Sequence, residues 1–173
     1  MAEPPAVIEP QILAELWRTY GDRLVLIARS LGEPAEDAVQ EAFVALACQN
    51  ELPDDPLAWL ARASRNAMLQ TWRSRKRRER REQASADSRD WFVQDHQRLD
   101  ERLDASVVTQ RLQQLPEEQR EVIVMHLWGE MTFRQIADVI GLSPSQAHRH
   151  YQNGLKQIQR VVRPASEPDT VSK

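Results

Sequence analysis

The chain has one cysteine and five glycines in 173 residues, and each scarcity removes a class of protein. A lone thiol, Cys48, rules out an internal disulfide framework and leaves no cysteine cluster for a zinc site. The apolar helical pattern around it (Phe43, Leu46, Ala47) predicts that the thiol is buried. So few glycines, against many Ala, Leu, Gln, Glu and Arg, point to an all-α protein. No apolar run approaches the length of a membrane span. The opening MAEPPAVIEP lacks both the basic and the apolar parts of an export signal, so a soluble, cytoplasmic protein is expected. There is no phosphate-cradling glycine loop, no nucleophile elbow and no paired-carboxylate site. The histidines at 96, 126, 148 and 150 are scattered, and His148 and His150 stand two apart, where a helix points them in different directions. No catalytic residue, metal site or cofactor is expected.

What is present is concentrated between Pro116 and Ile158, in PEEQREVIVMHLWGEMTFRQIADVIGLSPSQAHRHYQNGLKQI. Thr132 with Gln135, and Ser143 with Gln146, are two consecutive capping boxes, the second with Pro144 in the first helical position. Between them, Ala137 is small enough for a second helix to cross closely, and Gly141 can take the positive φ that ends the first. The spacing predicts a helix-turn-helix. Its second helix buries Ala147, Tyr151, Leu155 and Ile158 and shows Ser145, Gln146, His148, Arg149, Gln152 and Asn153. A short polar face of this kind suits reading base edges in a major groove. The competing interpretation is a helical hairpin whose second helix is merely solvated.

The formal net charge of −3 looks wrong for a nucleic-acid binder until the charges are placed. Arg73 to Arg81 form a basic block, and the segment that follows, to Asp104, is acidic. Local field rather than net charge attracts a polyanion. A solvated basic helix end is the plain alternative.

Helical periodicity places a first helix over Gln11 to Leu31, with a kink near Gly21 and a stripe of Ile12, Leu13, Leu16, Trp17, Leu24, Ile27 and Leu31. Pro34, Glu36 and Asp37 open a second, which runs to about Gln49. Asp55-Pro56 cap a third, with a stripe of Trp59, Leu60, Ala63 and Ala67 extending to Leu69 and Trp72. A long polar stretch then reads as a tether, and a short helix near Ser106 to Leu115 opens the second module. The expected organisation is therefore two small helical modules, 11–83 and 106–162, joined by a flexible acidic linker, 84–105, with disordered tails at 1–10 and 163–173. Modules this small should be held by outside partners more than by each other.

Two further patches stand out. Asp37, Gln40 and Glu41 share one helical face, opposite Val39, Ala42, Phe43 and Leu46. Arg62, Arg65, Asn66 and Arg73, beside Trp59, line one side of the third helix, an arrangement suited to single-stranded nucleic acid.

Taken in order, these segments resemble a bacterial sigma factor of the extracytoplasmic-function type, in the sigma-70 superfamily. DAVQEAF is similar to the family's core-binding helix, PLAWLARASRN to the segment that melts and reads the minus-ten element, and LPEEQREVIVMHLWGEMTFRQIADVIGLS to the minus-thirty-five domain. The resemblance covers nearly all of residues 11–162 except the linker. It implies a promoter-specificity subunit of RNA polymerase without catalysis of its own, monomeric when free and often controlled by an anti-sigma partner. It also implies site residues. Asp37, Gln40 and Glu41 would bind core polymerase. Trp59, Arg62, Arg65, Asn66 and Arg73, with the loop around Pro53 to Asp55, would hold the unwound minus-ten strand. Arg134, Ser145, Gln146, His148, Arg149, Gln152 and Asn153 would face the minus-thirty-five duplex.

The chain departs from the family pattern in its recognition helix, where Ser145-Gln146-Ala147-His148-Arg149-His150 replaces a more basic run, and at Leu57 and Gln70. Family promoter preferences therefore do not transfer. Leaving the resemblance aside, the residues also allow a stand-alone regulator whose N-terminal helices dimerise or sense a signal, or an RNA-binding adaptor using the basic block.

Overall fold

The computed structural model describes residues 8–79 and 109–162, and every regular element in them is an α-helix. Helix α1 spans Pro10–Arg29 and starts on a proline whose missing N–H costs nothing there. It runs unbroken through Gly21, where a kink was expected. Ile8, within the expected tail, is buried in the core and extends the ordered chain upstream. Helix α2 (Ala35–Ala47) carries Glu36 and Asp37 in its first turn, with Pro34 as its cap. It stops two residues short of the expected end, which decides the state of Cys48. That residue lies past the last turn and is exposed rather than buried.

Helix α3 (Pro56–Glu79) is capped by Asp55, whose Oδ1 accepts from the Ala58 N–H at 3.0 Å. The three helices pack against one another around Leu24, Ile27, Val39, Leu46 and Leu60, all essentially inaccessible. Two aromatic residues assigned to buried stripes lie outside this core. Trp17 is 43% exposed and edge-on to Phe43, and Trp72 is 55% exposed with the Lys76 ammonium 4.7 Å over its ring.

The second module opens with a helical stretch, α4, described over 109–113, which buries Leu112. It continues with α5 (Glu117–Leu127), α6 (Phe133–Ile140) and α7 (Pro144–Val162). Its core is Val122, Ile123, Met125, Met131, Ile136 and Ala147. Gly154 brings α7 close to α5, since a Cβ there would stand 2.6 Å from Ile123 Cδ1. The linker 84–105, the basic block beyond Lys76 and the tail 163–173 lie outside the residues whose side chains are described.

The modules touch. Helix α3 packs on α6 and α1 on α5. No described helix is long and apolar enough to cross a membrane.

Candidate nucleic-acid interface

Both capping boxes of the helix-turn-helix are formed. Thr132 Oγ1 accepts from the Gln135 N–H at 3.3 Å, while Gln135 Oε1 accepts from the Thr132 N–H at 2.8 Å. Ser143 and Gln146 repeat the exchange at 3.2 and 2.9 Å. Gly141 ends α6 in the left-handed region, φ 76°, and the Gly141 and Leu142 N–H groups both donate to the Ala137 carbonyl. The angle between α6 and α7 is thus set by hydrogen bonds that the sequence announces.

On α7, Ala147 is buried and Tyr151, Leu155 and Ile158 are half-buried, while Ser145, Gln146, His148, Arg149, Gln152 and Asn153 are exposed. Arg134 on α6 is exposed too. Several side chains of this face are already engaged, Ser145 through its hydroxyl to that of Ser143 at 3.2 Å. The Gln146 carbonyl oxygen is held in the cap, which leaves its amide N–H groups to donate. His148 Nε2 and Gln152 Nε2 share a hydrogen bond at 3.3 Å. His150 points elsewhere, toward Glu118 at 3.5 Å.

Behind this face lies an aromatic cluster that periodicity did not reveal. The His126 ring stacks on Phe133 with centroids 4.4 Å apart, and Tyr151 and His148 meet these rings edge-on. His126 Nδ1 lies 2.8 Å from the Met131 carbonyl. A carbonyl only accepts, so Nδ1 carries the proton. The recognition helix therefore rests on a pinned ring rather than on aliphatic contacts alone.

The arginine face of α3 is placed differently. Asn66 and Arg73 are exposed and Trp59 is half-buried, but Arg62 and Arg65 turn toward the second module. Arg62 Nη2 donates to the Asp138 carbonyl at 2.7 Å. Arg65 forks onto Glu121, Nε to Oε2 at 2.8 Å and Nη2 to Oε1 at 3.3 Å. Burial pushes the Glu121 carboxyl above its ordinary range, outweighing the pull of Arg65. No local sequence signal marks Glu121 as buried, because its partner is 56 residues away.

On α2, Asp37, Gln40 and Glu41 are exposed as a set, with Val39, Ala42, Phe43 and Leu46 buried behind them. Val44, 66% exposed, extends the face, and a groove lined by Glu41, Ala67, Gln70, Thr71, Ser74 and Arg75 borders it. Backbone hydrogen bonding at the start of α2 holds the Glu36 carboxyl below its ordinary range, with Arg29 adding to the effect. Among the described residues, no group of histidine, cysteine and carboxylate side chains is arranged to hold a metal ion.

A capped helix-turn-helix with a polar outer face, beside a helical module edged with arginine, defines a nucleic-acid-binding protein. Residues 16–78 match the family description "Sigma-70 region 2" and residues 106–158 match "Sigma-70, region 4". Between them these matches cover more than half of the chain, which belongs to the sigma-70 family. It is a transcription initiation factor whose region 4 is a DNA-binding helix-turn-helix.

Among solved structures, the chain is similar to the sigma factor RpoE of Bartonella quintana, in complex with the anti-sigma factor NepR. The identity is 21% and the TM-score 0.74, with 91% of this chain and 100% of that one covered. It is also similar to CnrH in complex with the cytosolic domain of CnrY, at 25% identity and TM-score 0.63, with 92% of each chain covered. No curated protein sequence matches significantly.

Proposed function

We propose that this sigma factor binds core RNA polymerase through Asp37, Gln40 and Glu41, reads minus-thirty-five duplex with α7, and captures the melted minus-ten strand with α3. The observation that carries the reading is the simultaneous exposure of two unlike faces on one chain. One is acidic and apolar-edged on α2, and the other is polar and donor-rich on α7. A solvated helix needs no second face elsewhere, whereas an adaptor between polymerase and promoter needs both.

Each part has a definite role. Polymerase supplies the chemistry, so the chain needs no catalytic residue of its own. On α7, Arg149 offers the forked donor that guanine O6 and N7 accept, and Gln152 and Asn153 offer amides suited to adenine. Arg134 and Ser145 are placed for phosphate contacts. On α3, Arg62, Arg65, Asn66 and Arg73 would track the backbone of a single strand while Trp59 stacks with a base. The protein acts in the cytoplasm, as a monomer when free. An anti-sigma protein is the expected regulator, since the similar RpoE was solved with one.

In vitro transcription with purified core polymerase and a genomic DNA library, followed by sequencing of the transcript starts, tests this reading. A shared pair of upstream elements at the selected starts is the expected result. Starts no different from those of core polymerase alone would refute it.

A further inference from the structure

We infer that His126, which lies behind the duplex-facing surface rather than on it, is a positioning residue for promoter discrimination, acting on α7 through the rings of Phe133 and Tyr151. The role rests on the duplex reading proposed for α7, and names the side chain that sets where α7 stands.

His126 meets α5, α6 and α7 at once. It is half-buried in the last turn of α5. Its ring stacks on Phe133, the first residue of α6, with centroids 4.4 Å apart and planes 22° apart. Tyr151 of α7 meets the same ring edge-on at 4.8 Å. Phe133 in turn meets Tyr151 at 5.5 Å and His148 at 5.0 Å, both edge-on. His148 is exposed on the proposed reading face and shares a hydrogen bond with Gln152. Contact therefore runs from α5, through Phe133, to side chains that face the duplex.

The ring is a fixed reference because it cannot turn. Its Nδ1–H donates to the Met131 carbonyl at 2.8 Å, across the turn that joins α5 to α6. That turn is itself rigid. The Gly129 N–H donates to the Val124 carbonyl and the Met131 N–H to the Met125 carbonyl, each at 3.0 Å. Glu130 is held at φ 52°, where a residue other than glycine stays only if its surroundings enforce it. A Cβ on Gly129 would stand 2.5 Å from the Met125 carbonyl oxygen, so the turn has no slack there. The hydrogen bond ties the ring plane to this backbone, and the ring passes that plane to Phe133 and Tyr151.

An aliphatic residue could fill the same space. It would carry neither the directed bond nor the preference of aromatic rings for stacked and edge-on geometry. Filling stabilises a core, whereas direction sets position. Reading base edges is demanding of position, because the side chains must be held to about 0.5 Å of the productive geometry. Phosphate contacts carry no sequence information. A displaced α7 therefore keeps a general hold on DNA while its preference among sequences falls.

The test is competition transcription by core polymerase with the full chain, on an equimolar pair of templates. Both carry one start selected from the genomic library, and they differ only in the upstream element, intact in one and scrambled in the other. The readout is the ratio of the two transcripts. Unfolded chain is lost to both templates equally, so a change in stability alone does not move the ratio. Two variants separate the ring from its bond. His126→Phe keeps a stacking ring and loses the Nδ1–H. His126→Asn loses the ring but carries an amide nitrogen the same number of bonds from Cα, able to donate to Met131.

With the ring as the positioning element, His126→Asn and His126→Leu lower the ratio about ten-fold, within the worth of one forked base contact. His126→Phe largely retains it. Helical circular dichroism and melting temperatures are recorded alongside. An unchanged ratio in His126→Asn and His126→Leu, or a loss in His126→Phe as large as in His126→Leu, overturns the role of His126 and leaves the duplex reading intact. A parent chain with no preference for the intact element overturns the duplex reading itself, and the role of His126 with it.

Discussion

At the scale of single residues, what matters is which donors and acceptors remain free. On α7, Arg149 is exposed, whereas Gln146 has its oxygen committed to a cap. Arg149→Ala should therefore cost about 1–3 kcal/mol at a selected upstream element and relax preference at one base pair. Competition binding of the full chain to selected and scrambled duplexes measures this, and equal losses on both would reduce Arg149 to a phosphate contact. The exposure of Asp37, Gln40 and Glu41 was legible in the sequence because a 3.6-residue period separates faces cleanly. Cys48 was not, because its state depends on the residue at which α2 stops, and an apolar neighbourhood says nothing about that. Trp17 and Trp72 fit the period yet stand at the edge of their stripes, where a large ring reaches solvent.

At the scale of elements, the sequence carries most of the second module. Both capping boxes and the left-handed glycine were readable because each is a local rule, complete within a few residues. Gly141 tests that rule cleanly: nothing lies within 4 Å of a Cβ placed there, so a substitution meets only backbone strain. Gly141→Ala should lower stability by about 1–2 kcal/mol, and Gly141→Asn, which tolerates the left-handed region, by clearly less. Urea denaturation of the full chain measures both, and equal effects would mean that something other than φ is at stake. The packing of α5 was not readable. Its apolar positions give no clean stripe, since Val122, Ile123, Val124 and Met125 run together. The meaning of Glu121 among them depends on Arg65, a partner that no local pattern can supply.

At the scale of the whole molecule, Glu121 links module contact to pH. It is faced by Arg65 from α3 and by Glu117 and Arg120 from its own helix, and its carboxyl is raised above the ordinary 4.5 mainly by burial. A group that holds its proton more tightly when folded contributes fully below its unfolded value, and that contribution is lost as pH rises through the raised one. Glu121→Gln lacks the titration. Its melting temperature relative to the parent should therefore climb as pH rises from about 4.5 toward neutrality. A difference that stays constant across that window would contradict the assignment. Glu36, held low, acts in the opposite sense, with a contribution present above the ordinary 4.5 and lost as pH falls through its lowered value.

A chain that joins polymerase to promoter through separate faces, as proposed, must lose polymerase when the α2 face is reversed in charge. Asp37 and Glu41 are exposed and outside the core, so Asp37→Arg with Glu41→Arg should change folding stability by no more than about 0.5 kcal/mol per site. Placing like charges where opposite ones are expected can cost several kcal/mol at an interface. The measurement is co-purification of the full-length double variant with core RNA polymerase, with its helical signal and melting temperature recorded in parallel. An unchanged fold with loss of polymerase binding is the expected result. A folded double variant that still co-purifies in full would contradict it.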